Sequence, residues 1–133
     1  MKHTGIIITA ILTVLIMTGR NSDKREIKQV AYGYVIATGN YNLDEAIPYA
    51  SKETREVTLP IIKENILPKV LEYDSDYVRK NTPVTATIDT ILVQGDTAWA
   101  GYTKIAPDGT VSYGTLMLLK ESGHWRVHMP LNK

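Results

Sequence analysis

The chain has 133 residues, 44% of them hydrophobic, which is enough for one domain with a packed core. Its formal charge is +1, and once Lys2 and Arg20 of the first twenty residues are set aside, 13 basic side chains face 14 acidic ones, a balance that excludes the basic field of a nucleic-acid binder. There is no cysteine, which excludes disulfides and a thiol nucleophile and leaves stability to packing alone.

Met1 to Gly19 reads as an export signal, with a basic start at Lys2 and His3, an apolar run from Gly5 to Met17 that is short for a membrane span, and small residues after it. Leu15-Ile16-Met17-Thr18-Gly19 followed by Asn21-Ser22-Asp23 resembles a bacterial lipoprotein signal, whose next residue would be the lipid-bearing cysteine. Arg20 stands there, so no lipid can be attached at that position as written, and Met17 with Gly19 make a mediocre site for ordinary cleavage. The division that follows is an export signal at 1–20 and one domain at 21–133, placed in the periplasm or outer cell envelope of a Gram-negative bacterium. It touches a membrane only through the signal or an anchor.

Ser22 to Asn40 reads as the first helix, with Ile27, Val30, Ala31, Tyr34, Val35 and Thr38 at helical spacing, a capping box at Asp23 and Glu26, and a stop at Gly39-Asn40. Asn42 to Glu45 opens a short second helix. Ser51 caps a third, running towards Leu71 and broken or kinked at Pro60 and Pro68, each of which lacks a backbone donor. Tyr73 to Thr82 reads as a charged connector.

From Pro83 to Met129 three turns, Gln94-Gly95-Asp96-Thr97, Ala106-Pro107-Asp108-Gly109 and Glu121-Ser122-Gly123-His124, separate four β-prone stretches, Val84–Val93, Ala98–Ile105, Val111–Lys120 and Trp125–Met129. Connections this short make an antiparallel meander. With a two-residue first loop, a three-residue second and a four-residue third, Asp89 faces Tyr102, Ala100 faces Leu116 and Leu118 faces Val127. The helix-facing side then collects Asp89, Ile91, Val93, Ala98, Ala100, Tyr102, Gly114, Leu116, Leu118, Trp125 and Val127. The other collects Ile88, Leu92, Trp99, Ile105, Val111, Tyr113, Met117, Leu119, Arg126 and His128. Helices followed by such a sheet predict an α+β domain, amino-terminal helices packed on a four-stranded antiparallel meander.

Tyr32 to Ala46, Gly95-Asp96-Thr97-Ala98, and Leu118 to Val127 with its closing Trp-x-Val strand resemble the nuclear-transport-factor-2-like, or cystatin-like, superfamily, and more narrowly small bacterial lipoprotein-type members of unknown function found in Bacteroidetes. The resemblance implies a strongly curved sheet wrapped around the first helix, a cone whose opening binds small molecules or does acid-base chemistry in other members. No catalytic motif of the family is matched residue by residue.

Asp89 is the candidate carboxylate, because an aspartate facing the helices beside Tyr102 would cost several kcal/mol if buried unpaired and should therefore be hydrogen-bonded or line a wet cavity, there as an anchor or general base. The plainer reading, an aspartate facing water, outweighs it. Tyr34, Tyr49 and Tyr102, three of eight tyrosines, are expected to converge on the cavity with Asp89 as ligand-binding residues. His124 and His128 share a face of the last strand, but with no third ligand they read as a solvated edge rather than a metal site. Trp99, Tyr113, Met117 and Leu119 form an apolar outer face expected to pair with a second copy. No cofactor is expected, since the chain has no phosphate-cradling loop, no Gly-x-Ser-x-Gly and no His-Glu-x-x-His. The functional expectation is a non-catalytic small-molecule-binding or accessory module. Its alternatives are a small isomerase, cyclase or dehydratase using Asp89 and Tyr102, and a protein-interaction scaffold acting through the apolar sheet face.

Overall fold

The computed structural model describes residues 2–73 and 75–131, with side chains over 21–72 and 75–131. Helix α1 (Lys2–Gly39) is followed by α2 (Leu43–Ala46), a 3-10 turn at Ile47–Tyr49, a proline-interrupted helical run over 52–73, and a short helix at Ser75–Lys80. Strands β1 (Thr85–Gln94), β2 (Thr97–Ile105), β3 (Val111–Glu121) and β4 (His124–Val127) then form one antiparallel sheet in the order β1-β2-β3-β4. This is the expected α+β arrangement, with α1 lying on the sheet against β1, β2 and β4.

The turns set the register as their chemistry demands. Gly95 takes φ +62° at the first central position of the two-residue β1–β2 loop, and Gln94 pairs with Thr97. Gly109 takes φ +91° in the β2–β3 loop, where Asp108 Oδ1 accepts the Thr110 amide at 2.9 Å, and Ala100 pairs with Leu116. The last loop is tighter than expected. Ser122 and Gly123, at φ 52° and 82°, make a two-residue turn that extends pairing to Glu121 and His124 while keeping Leu118 opposite Val127.

One register expectation fails. The β1–β2 pairing shifts between Ile88 and Thr90, so Ile88, not Asp89, sits opposite Tyr102. Asp89 is the extra residue of a β-bulge, and the bulge returns Ile88 to the helix side, where it packs against the core.

The core is the buried stripe of α1, Ile27, Val30, Ala31, Tyr34 and Val35, set on Val93, Ala98, Ala100, Leu116, Leu118, Trp125 and Val127 of the sheet. The expected helix start at Asp23 is not an end, since α1 runs through it. The two acidic residues serve the sheet instead. Asp23 Oδ1 accepts the Trp125 indole N–H at 3.0 Å and lies 3.3 Å from Lys120 Nζ, and Glu26 Oε2 is 3.0 Å from His124 Nδ1. Met1 to Arg20, the expected export signal, falls outside the residues whose side chains are described.

Pro60 and Pro68 interrupt the third run without breaking it. A π turn at Thr54–Thr58 precedes Pro60 and another at Ile62–Ile66 precedes Pro68, each ending two residues short of the ring. A proline has no N–H for the carbonyl four residues back and crowds it, and a wider turn relieves both demands. The expected charged connector is in part helical, at Ser75–Lys80, with Asp76 and Arg79 ion-paired across one turn.

The ring of Tyr49 lies flat on α1 at Gly33, where an added Cβ would come within 2.3 Å of Tyr49 Cζ. Glycine in a helix interior ordinarily loses about 1 kcal/mol to alanine, yet forcing a ring out of a packed contact costs about 1 to 3 kcal/mol. Gly33→Ala should therefore lower stability in urea unfolding, whereas in a Tyr49→Ala background the same change should raise it.

Candidate functional site

The last turns of α1, the loop after it and the proline-interrupted run enclose a cavity of about 200 Å³. Tyr34 and Thr38 come from α1, Tyr41 and Leu43 from the loop and the start of α2, and Leu59, Ile62, Ile66, Leu67 and Val70 from the proline-interrupted run. Met129, just past β4, closes the far wall. Among the described residues no charged side chain lines this space, and hydroxyls are the side-chain polar groups that do. Thr38 turns its hydroxyl back onto the Tyr34 carbonyl at 2.8 Å, which leaves its methyl as the apolar part of that wall.

Tyr34 is the one polar tip held deep in this wall. The residue is 1% exposed, and its hydroxyl donates to the Met129 sulfur at 3.9 Å, a weak acceptor. Burial, helped by the neighbouring Tyr102, pushes its pKa from 10.0 up to about 12. The surroundings thus disfavour negative charge at this end of the cavity.

The sequence-derived set separates in space. Tyr34 lines the cavity, Tyr102 lies beside Tyr34, and Tyr49 is engaged on Gly33 instead. Tyr102 lies across Gly114, its cross-strand partner, where an added Cβ would come within 2.3 Å of the tyrosine oxygen. Asp89 does not face the helices beside Tyr102. It stands exposed on the bulge, where its carboxylate accepts hydroxyls from Thr103 at 2.6 Å and Thr87 at 2.8 Å. Those two bonds, Thr103 first, hold its pKa below the usual carboxylate value. Asp89 and Tyr102 therefore do not form the acid-base pair expected of a small isomerase or cyclase.

His128 is also not the solvated edge residue expected. Its side chain is 15% exposed, and Nδ1 lies 2.8 Å from Ser51 Oγ. Ser51 caps the third helical run as expected, accepting the Thr54 amide at 3.3 Å, and its hydroxyl donates to Thr54 Oγ1 at 2.9 Å. Thr54 in turn accepts the Met129 amide at 2.8 Å, and Thr58 donates to the Met129 carbonyl at 2.7 Å. With Glu53 3.9 Å from His128 Nε2, the trio superficially suggests a nucleophile, base and acid. Ser51 is 0% exposed and fully engaged, so no substrate reaches it. The network instead fixes the position of Met129 over the cavity. Among the described residues no group of three or more potential ligands could hold a metal ion.

A more open groove of about 360 Å³ lies along α1 and β1, between Lys28, Tyr32 and Ile88. It takes its described walls from two elements, whereas the apolar cavity takes them from α1, the loop after it with the start of α2, the proline-interrupted run and the segment past β4.

Trp99, Met117 and Leu119 lie half-buried on the outer sheet face, Leu92, Trp99 and Met117 aligned across three strands, and Tyr113 is 78% exposed there.

No protein-family model matches the sequence, and no functionally curated protein matches it. Solved structures do. A protein from Campylobacter jejuni, described as a candidate NTF2-like transpeptidase, is 14% identical with a TM-score of 0.54, the match covering 76% of this chain and 95% of that one. An NTF2-like protein of unknown function from Shewanella baltica is 16% identical with a TM-score of 0.53, covering 80% of this chain and 88% of that one. At such identities the likeness establishes the fold, and the fold is the nuclear-transport-factor-2-like one.

The Tyr34 environment has a measurable signature. The unfolded chain releases this proton near pH 10, whereas the folded chain keeps it to about pH 12. The folded state therefore binds more protons in that window, and stability present in full below pH 10 falls as pH rises through it. The loss should be on the order of 2 to 3 kcal/mol. Denaturant unfolding at pH 9 and pH 11 should show a smaller drop for Tyr34→Phe than for the unmodified chain.

Proposed function

We propose that this chain is a non-catalytic binding module whose ligand is a small, largely apolar molecule held between α1 and the proline-interrupted helical run. The observation that carries the reading is the lining of the cavity: aliphatic side chains, two tyrosines, a threonine and a methionine, with no carboxylate, imidazole or ammonium. Such a wall gains from burying apolar surface and offers a ligand little beyond hydroxyl contacts. The lack of a carboxylate, imidazole or ammonium among the described lining residues, together with the separation of Asp89 from Tyr102, favours binding over the acid-base alternative.

The address belongs to the same proposal. A basic start, an apolar run of residues 5–17 and a lipoprotein-like junction support export to the cell envelope, with Arg20 where a lipid-bearing cysteine would stand. Without disulfides, an exported domain of this kind rests on its packed core.

Cavity filling tests the binding reading. The neutral probe N-phenyl-1-naphthylamine should bind the full chain with a fluorescence increase, and Ile62→Trp should weaken that binding about tenfold or more by occupying the space. Asp89→Asn, on the other side of the sheet, should leave it unchanged. Equal binding by the Ile62→Trp variant would remove the cavity from consideration.

A second reading rests on the outer face. The row Leu92, Trp99 and Met117, with Tyr113 nearby, supports pairing of the sheet with a second copy. Sedimentation should then show a mass of two chains, falling to one for Trp99→Lys. A monomer in both cases would leave the face as exposed sheet.

A further inference from the structure

A second cavity, polar and about 120 Å³ in volume, lies on the other side of the α1 terminus. Tyr41 lines both spaces, and consecutive residues of α1 divide between them, Thr38 facing the apolar one and Gly39 the polar one. Tyr41 holds φ at 62° because it closes the helix, its amide donating to the Thr38 carbonyl at 3.0 Å and the Asn42 amide to the Ala37 carbonyl at 2.8 Å, and this cap seats it between the two spaces. Each cavity by itself is smaller than the roughly 300 Å³ typical of ligand pockets, and Tyr41 is the residue that borders both.

Their chemistry is complementary. The polar cavity is walled by Tyr77, Asn81, Thr110, Ser112 and Lys104, with one ammonium and, among the described residues, no carboxylate in the lining. Lys104 is set in place by its stem, whose Cδ lies 3.2 Å from where a Cβ on Gly39 would be. Among the described residues no carboxylate lies within ion-pair distance of that ammonium. On the opposite side of Leu43 the surface carries Asp44 and Glu45, with Lys63 already paired to Asp44 at 2.8 Å. An anion would be repelled there and attracted towards Lys104.

From this arrangement we infer that the ligand is a single-chain amphiphile with a carboxylate head, its aliphatic tail in the apolar cavity and its head on Lys104, the two parts meeting at Tyr41. This rests on the binding reading above and adds the head-group chemistry to it. A single ammonium matches a monoanion, and the Ser112 hydroxyl beside it can donate to a remaining carboxylate lone pair. The Thr110 hydroxyl is held by Asp108, and the Asn81 amide donates to the Tyr77 carbonyl at 2.7 Å. The Tyr34 end of the apolar cavity, where burial works against negative charge, receives the methyl end of the tail.

Calorimetric titration of the full chain with decanoate and with decan-1-ol, both below their aggregation limits, separates the possibilities. Decanoate should bind about tenfold more tightly than the alcohol, the difference expected of a hydrogen-bonded charge. Lys104→Met should erase that difference by weakening decanoate alone, and Lys104→Arg should keep it. Added sodium chloride should weaken decanoate and spare decan-1-ol in the unmodified chain, a readout that stands even where a variant fails to fold. Equal, salt-independent binding of both probes would overturn the head-group assignment while leaving the apolar cavity as a binding site. Binding of neither probe would overturn both.

Discussion

The indole of Trp125 is the contact on which the fold depends. It is 0% exposed, and its N–H must find an acceptor inside the protein. Asp23 on α1 supplies one, 3.0 Å away, and Lys120 sits 3.3 Å from the same oxygen and 5.8 Å over the indole ring. Burial of the ring is the larger effect, since truncating a core tryptophan typically costs about 3 to 5 kcal/mol. The hydrogen bond decides placement more than strength. An indole N–H left without a partner would cost about 1 to 3 kcal/mol, so α1 is fixed along its axis relative to the last hairpin. Everything the cavity needs follows from that registration, because Tyr34 and Thr38 lie further along the same helix and Met129 just beyond the same strand.

One wall of the cavity is a helical run of irregular spacing. A regular α-helix from 52 to 73 would place its residues at one spacing throughout, whereas the two π turns each add a residue to a turn ahead of a proline. The run turns Leu59, Ile62, Ile66, Leu67 and Val70 to the cavity, with Leu59 buried in the core and Ile62 and Leu67 packed against it. The network of Ser51, Thr54, Thr58 and His128 holds the chain end at Met129, closing the space from the sheet side.

Much of the sheet was legible because its information is local. Gly95, Gly109 and Gly123 announce turns, turn length sets register, and period two then sorts Val93, Ala98, Ala100, Leu116, Leu118, Trp125 and Val127 onto one face. Asp89 was placed wrongly because one inserted residue reverses that sorting, although Ile88 and Ile91, three apart and both packed against the core, carry the trace of a bulge. The capping box at Asp23 and Glu26 was misread because the same side chains answer a demand from Trp125 and His124, about a hundred positions away. Helix Ser75–Lys80 was missed for want of an apolar stripe. The cavity was not legible at all, since its walls come from widely separated segments and depend on how far apart two helices stand, a quantity no spacing in the sequence encodes.

The bulge has a consequence at the rim of the sheet. Of the two outermost strands, β4 is partly covered, since Ala50 bridges to Val127 and the Ser51 amide donates to its carbonyl at 2.7 Å. Among the described residues β1 has no such cover, and it runs for ten residues. A long, straight, uncovered strand invites foreign strands to add to it and grow into fibres. At residues 88–90 the ladder is kinked, and a carboxylate projects from the kink. A strand approaching that rim meets a kinked row of amides and a negative charge, two features that disfavour edge-to-edge strand addition.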